Sequence, residues 1–408
     1  MRPERHFLLA SLALFLCLWL SLPACAEGGA LREGASFEGG TAYRTADDIY
    51  RVLNLSGSWR EMGRQYGALA KDALQQFYRE ITSDVEARGI DLPQQLDAAK
   101  GLAAAMSGDL NALLAGMAET SGLSLDEVLL LNCGMVNLAD VLLGPLPPSA
   151  CSGIAAWGEF TPDGRLTFGR NWDIDRAGML KYMQYLSVVV FNPDEGNAFA
   201  NVHPLGNVYL ETGINEKGLF LELNNGGYSD PMCYEERENA VSVLVSALNR
   251  CDTIDEAAAF LAEIPADMSY IIQLADSARC VSVERPTFGC RVREGDPRGL
   301  LVAYNSFVPP YPDEWTGKVA APRDPKKDAR YDNLVNLAHS EPFFGKLDPD
   351  GMMRLLDVRY QDGGAVHPGT VMQVVAMPEE LCLWIRGFEY SDWQKVELGE
   401  LFGLEKGA

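Results

Sequence analysis

The sequence predicts an α+β protein in which two antiparallel sheets are flanked by helices, preceded by a helical N-terminal region. Apolar residues recur at helical spacing across residues 45–143, where we find no convincing strand. The segment Gly144 to Ala150 is rich in proline and ends the helical pattern. Beyond it, many strand-like runs are joined by short turns, which favours hairpins over a doubly wound parallel sheet.

Capping boxes place the helix starts in the N-terminal region. Ser58-Trp-Arg-Glu61 opens a first helical run, and Ser124-Leu-Asp-Glu127 opens the run that ends at the proline-rich loop. A further helical run covers roughly Leu96 to Glu119. These signals predict a helical segment of about 100 residues before the first strand.

The body of the chain alternates strand and helix signals. The first strand signals are GIAAW, RLTFGRN, LSVVVFN, NVYLETG and LFLELNN, with an Asn215–Gly218 turn joining the last two as a hairpin. Helices follow at AVSVLVSALNRC and after Thr253-Ile-Asp-Glu256, and later near 329–338 and 349–358. The remaining strand signals are YIIQLAD, CVSVE, CRVRE, LLVAYN and a last hairpin of TVMQVVAM with LCLWIRG.

Charge and composition narrow the classes of partner. The 408 residues carry a formal net charge of −23. Nucleic acids and anionic membrane surfaces are bound through basic patches, so this charge argues against both. We expect a small-molecule partner and, from the absence of a His/Cys/carboxylate cluster at zinc-ligand spacing, no metal or organic cofactor.

The N-terminus predicts export. A basic MRPERH segment precedes an uncharged apolar run from Phe7 to Leu22, which is short for a membrane span of about 20 residues. Ala24-Cys25-Ala26 fits a signal peptidase site with cleavage after Ala26. Leu22 to Cys25 also fits a lipoprotein signal in which Cys25 is lipidated. We therefore expect residues 1–26 to be a leader and the protein to be periplasmic or extracellular, with a lipid anchor left open.

Nine cysteines are present, and an exported chain can form disulfides. Cys280 and Cys290 flank a predicted hairpin. They are either cross-strand disulfide partners or two buried thiols, and the sequence does not decide between these.

Cys151 stands at the head of a strand-like run, immediately after the proline-rich loop. A cysteine thiol has an unperturbed pKa of about 8.5, so a nucleophilic Cys151 needs a base. His203, His339 and His367 each have a loop or surface interpretation, and no local signature of a Cys-His peptidase surrounds Cys151.

An α-amine is the other available base. If the chain is cut between Ala150 and Cys151, the new N-terminus has an unperturbed pKa of about 7.7–8.0, which suits a thiol proton at neutral pH. The hairpin after Cys151 ends in Gly169-Arg-Asn-Trp-Asp173 and returns beside it. Asp173 could then orient the α-ammonium, and Arg170 could position the site electrostatically.

Six segments in this order resemble the N-terminal nucleophile (Ntn) hydrolases of the choloylglycine hydrolase and penicillin acyltransferase group. They are LSGSWREMGRQYGALAK, the cysteine with its hairpin ending GRNWD, INEKGLFLELNN, LLVAYNSF, ARYDNLVNL and HPGTVMQVVAMPEELCLWI. The long segment before Cys151 is similar to the self-cleaving acyltransferase branch. The resemblance implies an αββα sandwich, a helical propeptide over 27–150 and a catalytic chain over 151–408.

The resemblance also implies roles for individual residues. Cys151 would be the nucleophile and, through its amine, the base, while Asp173 and Arg170 would support it. Asn225 would contribute to the oxyanion hole, although the adjacent Asn224 competes for this role because only one of the two can face the site. Asn305 would contact the tetrahedral intermediate, and Arg330 is either a further site residue or a solvated charge on a helix.

The sequence therefore predicts an exported, self-processing amidase. It would cut a linear amide C–N bond through a Cys151 thioester, by hydrolysis or transfer to an amine, as an α-chain/β-chain heterodimer. Two alternatives stay open: a Cys-His peptidase, and an exported or lipid-anchored binding protein on an Ntn scaffold without turnover. Bile-salt conjugates, acyl-amino acids, acyl lactones, penicillins and small peptides are all open as substrates.

Overall fold

The computed structural model contains two sheets that pack face to face between layers of helices. The structure describes residues 30–132, 151–174, 176–226, 237–319, 324 and 326–404. The leader with Cys25, and the Gly144 to Ala150 loop with Ala150, lie outside the described residues.

Ten strands form the larger sheet, and nearly all neighbouring pairs in it are antiparallel. In spatial order they are β1 (Arg32–Phe37), β2 (Gly40–Arg44), β3 (Arg51–Gly57), β6 (Leu186–Pro193), β7 (Phe199–Pro204), β8 (Thr212–Asn215), β9 (Phe220–Asn225), β10 (Tyr270–Ala275), β11 (Cys280–Arg285) and β12 (Arg291–Glu294). The exception is the β3–β6 pair, which is parallel.

Six strands form the smaller, fully antiparallel sheet. In spatial order they are β13 (Leu300–Ala303), β4 (Ser152–Ala156), β5 (Thr167–Asp173), β14 (Thr370–Met377), β15 (Cys382–Gly387) and β16 (Gln394–Glu397). Every residue of the three strands β4, β5 and β14 is buried, because the other sheet covers one face and helices cover the other.

Eight longer helices complete the layers in the described part of the chain. They are α1 (Trp59–Leu69), α2 (Lys71–Ala87), α3 (Leu92–Ala104), α4 (Gly108–Ser121), α5 (Ala240–Arg250), α6 (Ile254–Glu263), α7 (Arg330–His339) and α8 (Pro349–Leu356). Residues 125–132 and Arg176–Met179 are also helical. Helices α5 and α6 pack on the larger sheet, and α7 and α8 pack on the smaller one.

The predicted fold class is confirmed by this arrangement of two antiparallel sheets between helical layers. The predicted helix starts are confirmed as well. Ser58 and Glu61 form a reciprocal capping box at α1, and Ser124 and Glu127 form the same pair of bonds before residue 125. No helix among the described residues is long and apolar enough to span a bilayer.

The expectation that residues 45–143 hold no strand is wrong. Strand β3 lies in this region and buries Val52, Leu53 and Leu55 in the larger sheet. It forms a hairpin with β2 on one edge, and on its other edge it pairs with β6, which lies too far along the chain for a local pattern to indicate it. Strands β1 and β2 extend the same sheet, and the N-terminal region is therefore not purely helical.

Two further strand predictions need correction. Strand β7 was not predicted, because Asn201 and His203 interrupt its apolar pattern. The NVYLETG run was predicted as a strand from Asn207, but β8 begins only at Thr212. Side-chain oxygens bind the intervening main chain instead: the Asn132 Oδ1 accepts from the Val208 N–H at 2.6 Å, and the Asn207 Oδ1 accepts from the Tyr209 N–H at 2.8 Å.

Cys280 and Cys290 carry free thiols in the structure. The predicted hairpin exists, with Val281 opposite Glu294 and Glu284 opposite Arg291. This register places Cys280 at the open end of the ladder and Cys290 at its turn, so the two are not cross-strand neighbours.

Candidate active site

Cys151 lies at the head of β4, next to the end of β5. The antiparallel register pairs Ser152 with Asn171, so Cys151 follows on opposite the last residues of β5. The Cys151 Sγ is 3.9 Å from the main-chain oxygen of Asp173 and 3.9 Å from the Arg170 Nη2. The hairpin thus brings together the three residues that the sequence singled out.

Burial controls the protonation of this thiol. Cys151 is only 5% exposed, and burial raises its pKa to about 12, although the Arg170 guanidinium opposes the rise. The thiol is therefore neutral at physiological pH in the uncut chain, and it needs a base to become a nucleophile.

Arg170 crosses from the smaller sheet into the larger one. Its Nη1 donates to the main-chain oxygen of Glu211 and to the Thr212 hydroxyl, and its Nη2 donates to the main-chain oxygen of Leu223 at 2.9 Å. Burial alone would lower the Arg170 pKa, but the neighbouring Glu222 carboxyl and Cys151 sulfur outweigh it and raise the pKa. Arg170 is thus a fixed positive charge beside the sulfur.

Asp173 is a buried carboxylate that lacks hydrogen-bond donors. Among the described residues, neither of its oxygens accepts a hydrogen bond, and the side chain is 1% exposed. Two cationic or potentially cationic groups lie near its Oδ2: the Arg330 Nη1 at 3.5 Å and the His367 Nε2 at 3.2 Å. A buried carboxylate in this condition is costly unless a donor arrives.

Arg330 is a site residue rather than a solvated charge on a helix. It begins α7 but is 2% exposed. Its Nη1 donates to the main-chain oxygen of Cys151 at 3.0 Å, and its Nη2 contacts the Asn305 Oδ1 at 3.4 Å. The carboxylate of Asp328 binds the same guanidinium at 2.8 Å and holds it in place.

The two neighbouring asparagines at the end of β9 face in opposite directions. Asn224 points between the sheets, where its Nδ2 donates to the Glu222 Oε1 at 2.5 Å. The main-chain oxygen of Asn225 accepts from the Asn305 Nδ2 at 2.9 Å, which connects Asn225 to the Arg330 side of the site. Alternation places the Asn224 side chain on the same face of β9 as Glu222, which covers β4, so Asn224 and Asn225 both stay candidates for the oxyanion hole.

One of the three histidines departs from its predicted loop or surface position. His203 is buried in β7, with its ring 5.6 Å from the Trp172 ring and its Nε2 3.7 Å from the Glu211 Oε2. His367 lies beside Asp173, as described above. His339 is exposed at the end of α7 and binds the main-chain oxygen of Val335.

The sequence did not predict the buried polar residues that pack against the strand of Cys151. Glu222 and Gln273 are fully buried between the sheets, next to Gly153 of β4. A glycine two residues after Cys151 was a usable signal, because a strand glycine often marks close approach of another group. Within the described part of the chain, no group of three His, Cys, Asp or Glu side chains could hold a metal ion.

Comparison with known families gives a match over residues 160–367, just over half of the chain. The matching family is acyl-coenzyme A:6-aminopenicillanic acid acyl-transferase. The chain belongs to this family. The resemblance to the penicillin acyltransferase group of Ntn hydrolases is thereby confirmed.

Among curated proteins, the chain is 26% identical over 200 residues to an uncharacterized protein from Archaeoglobus fulgidus. That match covers 42% of the chain and 32% of the relative, so the chain spans about a third of the relative's length.

Solved structures of low identity resemble part of the chain. An N-acylethanolamine-hydrolyzing acid amidase ortholog from Caenorhabditis elegans has 18% identity and a TM-score of 0.44 over 61% of this chain and 100% of its own. A mutant conjugated bile acid hydrolase from Clostridium perfringens has 16% identity and a TM-score of 0.43, over 62% of this chain and 95% of its own. Penicillin V acylase from Agrobacterium tumefaciens has 15% identity and a TM-score of 0.41, over 63% of this chain and 89% of its own.

Proposed function

We propose that this protein is an exported, self-processing amidase that cleaves linear amide C–N bonds through a thioester on Cys151. Membership of the acyl-transferase family supports acyl transfer from an amide as the class of reaction. The observation that carries the proposal is Asp173, a buried carboxylate without a hydrogen-bond donor, whose main-chain oxygen lies 3.9 Å from the Cys151 sulfur. A free amine on Cys151 would supply the missing donor.

Self-processing would begin with attack of the Cys151 sulfur on the carbonyl carbon of Ala150. The C–S bond forms, the C–N bond of that peptide breaks, and the thiol proton passes to the departing nitrogen, which leaves a thioester and a free α-amine on Cys151. Water then hydrolyses the thioester, releasing the Ala150 carboxylate and the thiol. Arg330 holds the main-chain oxygen of Cys151 at 3.0 Å and so keeps the head of β4 in place.

The same groups would serve turnover of an external amide. The α-amine takes the thiol proton, the sulfur attacks the substrate carbonyl, and the ammonium returns the proton to the departing amine. Asp173 orients the ammonium, Asn225 and Asn305 donate to the oxyanion, and Arg170 stabilises the thiolate. Water or an acceptor amine then removes the acyl group from the sulfur.

The relatives suggest where to begin the search for a substrate. Their names refer to N-acylethanolamines, conjugated bile acids and penicillin V, which all contain an acyl group on an amide nitrogen. We propose a small acyl-amide as substrate, an α-chain of residues 27–150 retained beside the β-chain, and export through the predicted leader, with Cys25 as a possible lipid anchor.

The first experiment is the intact mass and N-terminal sequence of the purified protein beside Cys151→Ala. We expect two fragments from the wild type, one beginning Cys-Ser-Gly-Ile, and a single uncut chain from the variant. Amide hydrolysis, measured as amine released from a panel of N-acyl compounds, should be lost with the cut.

Cys382→Ala is the matched control for this test. Cys382 is also a buried strand cysteine, and burial raises its pKa to about 12 as well, but it faces Lys395 rather than Arg170. It should be cut and active. Cleavage that persists in Cys151→Ala would contradict self-processing. An uncut, active wild type whose activity is lost in His367→Ala would favour the Cys-His peptidase, and an uncut, inactive one the binding protein.

A further inference from the structure

A layer of buried polar side chains lies between the two sheets, directly behind Cys151. Glu222 of β9 is fully buried there, and Gln273 of β10 is its partner in the ladder. Apolar packing borders this layer, where the Phe168 and Phe220 rings lie with centroids 4.7 Å apart. The proposed reaction gives no task to a carboxyl group in this position.

Arg170 connects this carboxyl to the nucleophile. Its Nη2 contacts the Cys151 sulfur at 3.9 Å, and its Nε lies 3.6 Å from the Glu222 Oε2. Within the described residues, neither this Nε nor this Oε2 makes a hydrogen bond. The guanidinium therefore lies between a thiol on one side and a carboxyl on the other, in a region where water does not screen either interaction.

Gly153 shows how closely the nucleophile's strand approaches the carboxyl. A Cβ at this position would lie 2.3 Å from the Glu222 Oε1 and 2.0 Å from the Gln273 Oε1. Both distances are far below van der Waals contact, so β4 fits over Glu222 only with glycine at this position. The Glu222 carboxyl therefore packs against the backbone of β4 only two residues from Cys151.

We propose that Glu222 is a positioning residue that governs how much of the Arg170 positive charge acts on the Cys151 sulfur. The inference rests on the proposed function, because it assigns Cys151 as the nucleophile. With Glu222 protonated, the Arg170 charge is uncompensated and stabilises the thiolate. With Glu222 ionised, the carboxylate neutralises Arg170, and the sulfur keeps its proton to higher pH.

The surroundings of Glu222 place its ionisation near neutral pH. Burial raises its pKa to about 7, against the opposing effects of Arg170 and the Asn224 hydrogen bond. The Glu211 carboxylate, which precedes β8, adds to the rise. Cys280 of β11 also senses this charge and holds a neutral thiol, since burial keeps its pKa well above the usual range.

Alkylation of Cys151 by iodoacetamide tests the proposal. The rate is measured by mass spectrometry of the Cys151 peptide between pH 6 and 9 in wild type and Glu222→Gln, with the Cys290 peptide as internal reference. Glutamine keeps the size of the side chain and its acceptor for Asn224. We expect Glu222→Gln to react about tenfold faster at pH 9, and the two rates to converge at pH 6, where Glu222 is already protonated.

Glu284→Gln is the matched control, because Glu284 is equally buried on β11 but pairs with Arg291 and Arg293. Its Cys151 profile should follow the wild type. If Glu222→Gln does not fold, Glu222→Ala takes its place with the same expectation, and equal rates in that variant and the wild type at pH 9 would overturn the proposal.

Identical profiles in wild type and Glu222→Gln, including no Cys151 modification in either, would also overturn it. Failure of the proposed function is separate, because it shows as cleavage that persists in Cys151→Ala, whether or not the two alkylation profiles differ.

Discussion

Two buried carboxylates in this molecule, Glu284 and Asp173, have opposite surroundings. Glu284 accepts from the Arg293 Nε at 3.0 Å and from the Arg291 Nη2, and the main-chain N–H of Val308 approaches at 3.4 Å. Asp173 accepts no hydrogen bond from any described residue, although its burial is the same. Glu284 is hydrogen-bonded and holds β11 and β12 together. Asp173 has no hydrogen-bond donor, and it lies where the chain would be cut.

The difference teaches how to separate structural from functional charge. Removing one partner of a hydrogen-bonded, buried ion pair leaves an uncompensated charge and lowers the stability of the fold, without an effect on chemistry. A buried carboxylate without donors lowers stability in the uncut chain, and such a cost is tolerated where a later state supplies the partner. The experiments below compare the two kinds of carboxylate, from the largest expected effect to the smallest.

Glu284→Gln should lower the free energy of unfolding by about 3 kcal/mol, because it leaves Arg291 and Arg293 without their buried partner. Urea denaturation followed by circular dichroism gives this value. Glu341→Gln, in an exposed pair with Lys346, is the control and should change it by less than about 0.5 kcal/mol. A loss of activity in folded Glu284→Gln would contradict a purely structural role.

Asp173→Asn should act in the opposite way. We expect turnover of the cut protein to fall about a hundredfold, because a charge-assisted hydrogen bond to the α-ammonium is lost. The free energy of unfolding should fall by less than in Glu284→Gln, since Asp173 has no hydrogen bond to lose and only its contacts with Arg330 at 3.5 Å and His367 at 3.2 Å are weakened. Turnover rates from amine release and urea denaturation curves test the two parts, and a destabilised but active variant would contradict the contrast.

Glu222 gives a pH-dependent form of the same comparison. Its pKa is raised from 4.5 to about 7, so its contribution to stability is fully present below pH 4.5 and is lost as the pH rises through 7. Between pH 5 and 8 the wild type should lose about 2 kcal/mol more than Glu222→Gln does. Urea curves at the two pH values measure this, and parallel losses would show that Glu222 does not titrate in this range.

The smallest effect is expected at the cysteines of the hairpin that Glu284 fastens. Cys280 and Cys290 are free thiols at opposite ends of the ladder, so dithiothreitol should leave the melting temperature of the wild type unchanged, as in Cys290→Ser. A stabilisation that reductant removes from the wild type alone would mean that a disulfide forms after all.

Much of the site could be predicted because it is local in sequence. Cys151, Arg170 and Asp173 belong to one hairpin, and hairpin pairing returns the end of one strand to the start of the other. Asn305 and Arg330 lie on separate elements, so only the family resemblance predicted them as site residues. The sequence did not place His367 beside Asp173, because nothing local links the loop before β14 to β5.

Burial explains what the sequence could not predict. Glu222 alternates with Leu221 and Leu223, which is the pattern of a strand with one solvent-facing side, yet a second sheet covers that side. Strand β3 forms a hairpin with β2, but its place inside the larger sheet depends on pairing with β6, far along the chain. In both cases the deciding neighbour is distant in sequence.

The parallel pairing of β3 with β6 has a consequence for reversibility. If the chain is cut before Cys151, β3 stays hydrogen-bonded to β6 of the other piece and carries β1 and β2 with it, so the cut molecule remains whole. Once unfolded, however, the two pieces must meet by diffusion before that ladder can form again. Refolding of the mature protein should therefore be second order and fail on dilution, whereas the uncut Cys151→Ala chain should refold at a rate independent of concentration.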